Sequence, residues 1–427
     1  MKKFKFLSII ITILIIVVMI FLSSCSTPSE SSSSSQGDKS EASNQASINE
    51  LMLGVGPGSK VVQVAAGYHD SMAIVRDSKG KQTLWVIGSN ADGQLGLGDI
   101  KDRSKWVNAG LTNVSLVACG NYYSLCVANN YLYVTGDNSK GQLGLGYTGG
   151  SLNKWTQLGY GNIYALACGG DIGNIKNTFY SMFISKGQLW ETGDNSYGQL
   201  GLNPASYPNL CQWTPIRTNY VTQVACGYAH SIYIGDDGSS LYVTGANDSG
   251  QLGLGYKGNP VTQWTKVTNI NSSYFTGVGC GRWHSVISAY GPYNGNYNYW
   301  IWVTGNSSMG QLGLGYSTQI SSWTQLGYGN IDYNSVTCTD YDSYFTSGRG
   351  LWVTGDNGLG ELGIGSTNKQ MWWISNGYGN IQGKVSAGAF HALFISQNNT
   401  WGAGNNLYHE LGVPSLNNSY WPWFVKN

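Results

Sequence analysis

The chain has 427 residues, enough for one large repeat domain or two ordinary domains. A net charge of +1, with only 11% of residues charged, excludes the basic surface of a nucleic-acid-binding protein and leaves no acidic tail. The 60 glycines, 29 tyrosines and 16 tryptophans recur at fixed places, so they mark a structural repeat rather than a low-complexity chain.

The N-terminus, residues 1–24, has the organisation of a secretory signal peptide. Three lysines in the first five residues precede an apolar run, 6–22, which ends in Leu-Ser-Ser before Cys25. The run is shorter than the ~20 residues that a membrane-spanning helix needs, which favours a cleaved signal over an uncut anchor. Leu-Ser-Ser-Cys resembles the lipobox of bacterial lipoproteins. This resemblance implies that Cys25 carries a diacylglycerol and that the protein is lipid-anchored and extracytoplasmic, at the cell membrane or outer envelope.

Residues 25–54 are predicted to form a flexible tether. The stretch 26–50 is rich in serine and contains almost nothing apolar, so it cannot bury enough surface to fold. A tether of this kind separates a lipidated cysteine from its folded cargo. The remaining segment, 55–427, is predicted to be the folded domain.

A fifteen-residue phrase of the type LWVTGDNxxGQLGLG occurs seven times in the folded segment. Consecutive copies are 48 to 60 residues apart, measured between the glycines that follow the apolar strand. Each repeat also has a β-branched run that ends in a small residue and glycine, a second apolar run, and a tryptophan past the LG pair. The seven spacing glycines are Gly88, Gly136, Gly193, Gly245, Gly305, Gly355 and Gly404.

Each repeat is therefore predicted to form four short strands joined by glycine-rich turns. Four strands in about fifty residues, seven times over, predict an all-β fold, a seven-bladed β-propeller, with an open solenoid as the alternative. A spacing that is constant among the repeats places one leucine per repeat at the predicted packing surface between blades: Leu95, Leu143, Leu200, Leu252, Leu312, Leu362 and Leu411. The tryptophans mark the fourth strand, with the choice open between Trp372 and Trp373, and between Trp421 and Trp423.

The phrases ACGxxHS and LWVTGDNxxGQLGLG, with the tryptophan strand that follows, resemble the repeats of the regulator of chromosome condensation family. The resemblance covers about residues 55–427 and all seven repeats. It implies a propeller scaffold of the kind that serves as an interaction platform. It does not define a function, because function depends on a site placed on the scaffold.

Two sets of side chains at repeated positions are candidates for chemistry. Five cysteines, each directly before the end of a first strand, are predicted to form a ring near the propeller axis as free structural thiols, with disulfides or a metal site as alternatives. Seven His, Asp and Tyr residues open the second strands, and we interpret them as bonding local backbone rather than a metal. The two sets are Cys119, Cys168, Cys226, Cys280 and Cys338, and then Asp70, Tyr123, Tyr180, His230, His284, Asp342 and His391.

No catalytic constellation emerges from the sequence. The GDN aspartates lack the spacing of a calcium loop and are predicted to cap tight turns. The chain contains no GxSxG, HExxH or phosphate-binding loop. We therefore expect no enzyme activity, no catalytic residue, no metal and no cofactor.

Departures from the repeat are the best candidates for a binding site. The third repeat has an insertion at 170–179 and the fifth has one at 289–300, and strand direction predicts that they emerge on opposite faces. The fifth insertion is rich in tyrosine, glycine and asparagine, a composition typical of antibody-like contact loops. We predict a candidate binding loop that contains Tyr290, Tyr293, Tyr297, Tyr299 and Trp300.

The predicted function is a monomeric, envelope-anchored scaffold that binds an unidentified protein partner at the cell surface. The alternative is a lectin-like protein that binds a carbohydrate or cell-wall polymer, since tyrosine, tryptophan and amide side chains are abundant and charge is low. Contact with the membrane is expected through the lipid anchor alone, and no nucleic-acid partner is expected.

Overall fold

The computed structural model describes residues 58–172, 177–216, 220–293, 296–327, 329–413 and 418–424. In these segments 28 strands form seven antiparallel sheets of four strands each, and a single 3-10 turn at Asp236–Gly238 is the one helical element. No helix in the described segments is long and apolar enough to cross a membrane. The predicted seven-bladed β-propeller is confirmed.

Each blade takes four strands that are consecutive in sequence, with the first strand innermost. The first four blades contain β1 (Lys60–Ala66), β2 (Asp70–Arg76), β3 (Gln82–Gly88) and β4 (Arg103–Thr112); β5 (Val114–Cys119), β6 (Tyr123–Ala128), β7 (Tyr131–Asp137) and β8 (Ser151–Gly161); β9 (Ile163–Ile172), β10 (Asn177–Ser185), β11 (Gln188–Asp194) and β12 (Asn209–Pro215); β13 (Gln223–Cys226), β14 (His230–Gly235), β15 (Ser240–Asn247) and β16 (Gly258–Lys266). The last three contain β17 (Tyr274–Cys280), β18 (His284–Tyr293), β19 (Asn296–Asn306) and β20 (Gln319–Leu326); β21 (Thr337–Cys338), β22 (Asp342–Ser347), β23 (Gly350–Gly355) and β24 (Gln370–Ser375); β25 (Ser386–Ala387), β26 (His391–Ser396), β27 (Asn399–Asn405) and β28 (Asn418–Phe424).

The hydrophobic core lies between the blades. The buried apolar side chains fall into seven clusters, and each cluster combines residues of two adjacent blades. The leucine of each LG pair is buried in one of these clusters, as the sequence predicts. A single four-stranded sheet buries neither face by itself, so the ring of interfaces supplies the burial that stabilises every blade.

The glycine of the LG pair is required by both backbone conformation and packing. Gly253 has a φ of +66°, and a Cβ there would approach the Trp323 indole to 2.2 Å. Trp323 belongs to the next blade, and the same relation joins Gly96 to Trp155 and Gly313 to Trp373. Trp373 is therefore the packing tryptophan of the sixth repeat, with 4% of its surface exposed against 61% for Trp372. The side chains of Trp421 and Trp423 lie outside the described part of the structure.

The ring closes without exchange of strands between its ends. Blade 1 contains only β1–β4 and blade 7 only β25–β28. Their junction is held by side-chain packing and by hydrogen bonds, including one from the Ala66 amide to Ser386 Oγ at 2.9 Å and one between Ser71 Oγ and His391 Nε2 at 2.8 Å. The closing interface is thus of the same kind as the other six.

Candidate functional site

The first strands of the blades surround a central channel with two distinct ends. We call the end at which these strands finish, around Gly67, Gly120 and Gly227, the mouth face. The opposite end, where the first strands begin and the turns between second and third strands lie, we call the tyrosine face, for the residues described below. The third-blade insertion extends β9 and β10 at the mouth face, and the fifth-blade insertion extends β18 and β19 at the tyrosine face. The prediction that the two insertions emerge on opposite faces is confirmed.

The five repeated cysteines line the channel near its mouth, together with Ala66 and Ala387. All five are free thiols. Only Cys280 is buried; the other four, which also line the channel, are half-buried. The prediction of free thiols near the axis is confirmed.

The surroundings of the ring thiols lower their reactivity. Burial raises the pKa of each of them, for Cys338 to about 12, with the ammonium of Lys384 acting in the opposite direction at Cys280 and Cys338. Because the thiolate is the nucleophile, such thiols react slowly near neutral pH. Among the residues that the structure describes, no group of three or more His, Cys, Asp or Glu side chains could hold a metal ion.

We predict that the ring cysteines react with iodoacetamide at least about a hundredfold more slowly in the folded protein than in urea, because burial depletes the thiolate. Cys338, which lies beside Lys384, should be the fastest of the five. Mass spectrometry of timed labelling at pH 7.5 measures each rate. Rapid native labelling, or disulfide-linked peptides in the unreduced protein, would contradict this prediction.

The His, Asp and Tyr side chains that open the second strands connect neighbouring blades. His230 Nε2 lies 2.9 Å from Ser285 Oγ of the next blade, and His284 Nε2 lies 2.8 Å from Ser343 Oγ. Where tyrosine occupies the position, its hydroxyl donates to backbone carbonyls of the next blade, as Tyr123 does to Gly169. The interpretation of these residues as bonding local backbone is therefore wrong for the histidines and tyrosines, whose partners lie in the adjacent repeat.

The Asp and Asn side chains of the GDN turns form hydrogen bonds within the same turn. In six repeats the asparagine Oδ1 accepts from the backbone amide of the LG leucine at 2.9–3.2 Å. The Asp137 carboxylate accepts from the Ser139 amide and hydroxyl and from the Gln142 side chain. These contacts agree with the predicted role of Asp and Asn as turn caps.

The predicted fifth-blade binding loop is mostly a β-hairpin. The two strands remain paired out to Tyr293 and Asn296, and Tyr290 lies opposite Tyr299 with 4.9 Å between ring centroids. Trp300 has 9% of its surface exposed and packs in the core between blades 4 and 5, so it is not a surface anchor. The side chains of Tyr293 and Tyr297 lie outside the described part of the structure.

Five further tyrosines lie on the same face as this hairpin. They occupy successive blades, from the second to the sixth, near the start of a first or third strand, and between 36% and 60% of each residue is exposed. Sequence reasoning missed them, although a tyrosine stands four to six residues before the ring cysteine in four consecutive repeats. The five, which give the tyrosine face its name, are Tyr131, Tyr164, Tyr220, Tyr274 and Tyr333.

The tyrosine face also contains a groove between blades 2 and 3. It has a volume of about 570 Å³, and Tyr131, Tyr160 and Trp190 contribute aromatic rings to it. The Tyr160 and Trp190 rings lie 5.4 Å apart. Asn130, Asn162 and Gln188 contribute amides, and Lys186 is the charged side chain among the described lining residues.

The mouth face is aromatic as well, but its rings are engaged with one another. The residue before each second-strand position is His69, Tyr122, Phe179, Ala229, Trp283, Tyr341 or Phe390. Rings of neighbouring blades are in contact, with Tyr68 at 5.1 Å from Phe390 and Trp283 at 5.7 Å from Tyr341. Arg282 lies over Trp283 at 4.7 Å and pairs with Asp340 at 3.5 Å. These contacts explain the aromatic residues as cross-blade packing.

Comparison with known proteins defines the class of repeat. Residues 82–127, 186–234 and 239–288 match the "Regulator of chromosome condensation (RCC1) repeat", and 221–251 match a second pattern of the same description. The chain therefore contains repeats of the regulator of chromosome condensation type, as the sequence resemblance implies. Among solved structures, human WBSCR16 aligns with a TM-score of 0.66 and 20% identity, over 80% of this chain and 93% of that one. Yeast RCC1 (Prp20), bound to Kap60, aligns with a TM-score of 0.61 and 18% identity, over 77% of this chain and 78% of that one. These likenesses support the fold.

Curated relatives are similar over part of their length. The ultraviolet-B receptor UVR8 of Arabidopsis thaliana is 28% identical over 217 residues, which is 46% of this chain and 44% of the receptor. The probable E3 ubiquitin-protein ligase HERC4 of Homo sapiens is 29% identical over 287 residues, 66% of this chain and 21% of the ligase. The chain thus spans less than half the length of these relatives.

Proposed function

We propose that this protein is a non-catalytic scaffold that binds a protein partner through the tyrosine face. The observation that carries the proposal is the row of five exposed tyrosines in consecutive blades, beside the hairpin that breaks the repeat. Tyrosine is enriched at interfaces because one side chain supplies large apolar area, a hydroxyl for hydrogen bonding and little conformational entropy to lose. At the mouth of the channel the aromatic rings pack on each other, and the exposed tyrosines of that side, Tyr147, Tyr207, Tyr256 and Tyr316, lie in the outer loops between third and fourth strands.

The arrangement of the tyrosines favours one extended contact over several separate ones. Burial raises the pKa of Tyr164 to about 12, with the neighbouring Tyr220 acting in the same direction, and burial together with the neighbouring Tyr333 raises the pKa of Tyr274. Tyr220 covers Gly187, and Tyr274 covers Gly238, in the turns of the preceding blades. The rings are therefore held in place before a partner binds, which lowers the entropy cost of association. A patch across four or five blades has room for the roughly 800 Å² per partner of a standard protein interface.

The test is affinity capture from envelope extract with the domain that begins after residue 54. A variant with Tyr220, Tyr274 and Tyr333 changed to Ser should lose the captured partner, with a drop in affinity of at least a hundredfold. The matched control changes Tyr147, Tyr256 and Tyr316 to Ser. These three are 51–58% exposed at equivalent positions in the loops between third and fourth strands. Equal loss in both variants, or capture that survives the first variant, would refute a site on the tyrosine face.

A carbohydrate or cell-wall polymer is the second candidate ligand, and the groove between blades 2 and 3 favours it. Aromatic rings that stack on sugar faces and amides that bond hydroxyl groups are combined there. A glycan array with the wild type and a Trp190→Ala variant distinguishes this candidate from the first. Binding that depends on Trp190 and persists in the triple Tyr→Ser variant would place the ligand in the groove instead of on the tyrosine row.

The proposal includes attachment to the cell envelope through Cys25, on the strength of the lipobox-like sequence that precedes this residue. A Cys25→Ala variant should lose incorporation of a fatty-acid probe and should accumulate in unprocessed form, because no thiol is present to receive the lipid. Metabolic labelling followed by electrophoresis measures both effects. Unchanged labelling of the variant would contradict the anchor and leave the binding proposal untouched.

A further inference from the structure

The central channel contains a polar, positively charged compartment that none of the roles above uses. The channel has a volume of about 530 Å³ and is lined by the inner strands of all seven blades. The ring of thiols and alanines also lines a smaller cavity, of about 90 Å³, at the mouth face. At the other end, Arg76, Gln82, Gln382 and Lys384 line it. The cavity is large enough for a small organic molecule.

The charge inside the channel is of one sign. Among the described lining residues Arg76 and Lys384 are the ionisable cations, and none is acidic. Lys384 is exposed and lines the channel, and the inner strands around its amine lower the pKa of this group by shielding it from bulk water. An ammonium group in such a place is stabilised by an anion that enters the same space.

The position that Lys384 occupies in the repeat has a structural role in two other blades. It stands four residues before the glycine of the first strand, as Gln63 and Gln223 do in blades 1 and 4. Those glutamine amides donate to the next blade, Gln63 to the Val117 carbonyl at 3.1 Å and Gln223 to the Thr276 carbonyl at 3.0 Å. The Lys384 amine instead lies near the thiols of Cys280 and Cys338, inside the channel.

We propose that the channel is a binding site for a small oxyanion, a carboxylate or a phosphate compound, with Lys384 as its central ligand. Arg76 adds a second positive charge at the end away from the thiol ring, and the amides of Gln82 and Gln382 are placed to donate hydrogen bonds. The thiols of the ring contact the inner end of the ligand and limit its length.

The experiment titrates the purified domain with sodium phosphate, sulfate or citrate by calorimetry, at ionic strength held constant with sodium chloride. Binding in the millimolar range or tighter is expected for at least one of these anions, with a matching rise in Tm. Lys384→Met should weaken it at least tenfold, whereas Lys384→Arg should retain it. Lys105→Met, a change at an exposed position on the outer strand β4, is the matched control and should bind as the wild type does.

Protection of the ring thiols supplies an independent readout. An anion seated in the channel should slow alkylation of Cys280 and Cys338 in the wild type and in Lys384→Arg, but not in Lys384→Met. No binding of any of the three anions, equal binding by Lys384→Met and wild type, or binding without protection of the thiols would overturn the proposal.

Discussion

Leu252→Ala is expected to lower the free energy of unfolding by about 2–5 kcal/mol, as for other fully buried leucines. Leu252 has no exposed surface and packs between blades 4 and 5, among Val243, Phe275 and Trp323. The truncation leaves a cavity beside Gly253, whose backbone is already fixed by the Trp323 ring above it. The site therefore has little freedom to collapse, which places the expected cost toward the upper part of the range.

Urea denaturation followed by tryptophan fluorescence measures the effect of Leu252→Ala. Leu407→Ala is the matched control, because Leu407 has 62% of its surface exposed, and a change within about 0.5 kcal/mol is expected there. A loss below about 1 kcal/mol for Leu252→Ala would show that the interface between the blades is not closely packed.

Glu191→Gln is expected to stabilise the protein, and the gain should grow as pH rises. Five repeats have valine where the third has Glu191, in the phrase LWETG. Its side chain is fully buried between blades 3 and 4, where burial raises the pKa of the carboxyl and the Trp264 indole partly offsets this. The folded state thus binds this proton more tightly than the unfolded chain, in which the pKa is about 4.3.

The sign of the pH dependence follows from that difference. When the folded state holds more protons than the unfolded state, stability falls as pH rises from the unfolded pKa to the folded pKa, by about 1.4 kcal/mol per pH unit for one group. Glutamine keeps the shape and removes the titration. Denaturation at pH 5 and pH 8 should therefore show a larger advantage of Glu191→Gln at pH 8. The other buried acids whose pKa is raised, Asp70, Asp342 and Glu361, are common to both proteins, so their contributions cancel in the comparison. An advantage that is equal at both pH values would show that Glu191 does not titrate in this range.

Contacts that follow from the local pattern were predictable from the sequence. The LG leucines, the packing tryptophans and the asparagine turns recur with constant spacing, and their roles depend on strand alternation and turn chemistry. The cysteine ring was predictable because equivalent positions in a closed ring surround one axis. The partial exposure of these cysteines was not predictable, because the width of the channel depends on how the seven sheets pack.

Contacts between repeats were harder to predict. The partner of His284 is Ser343, 59 residues further along, and no local signal connects the two. Trp300 stands in a segment with the composition of a contact loop, yet strand pairing directs its side chain into the core. The exposed tyrosines were also missed. Four of them recur before the ring cysteines, but it becomes clear that they share one face only when the start of each first strand is known.

The seam between blade 7 and blade 1 has a consequence for how this domain can be rearranged. Every blade is a continuous segment of chain, and no hydrogen-bonded strand crosses the seam. Moving the chain ends to another junction between blades would therefore change covalent connections but would break no sheet. A circular permutant that joins the end of β28 to the start of β1 and opens the chain between β12 and β13 keeps all seven sheets whole. In the same way, duplication or loss of one blade-sized gene segment changes the number of blades without breaking any sheet, so a ring built like this is open to growth or shrinkage in evolution.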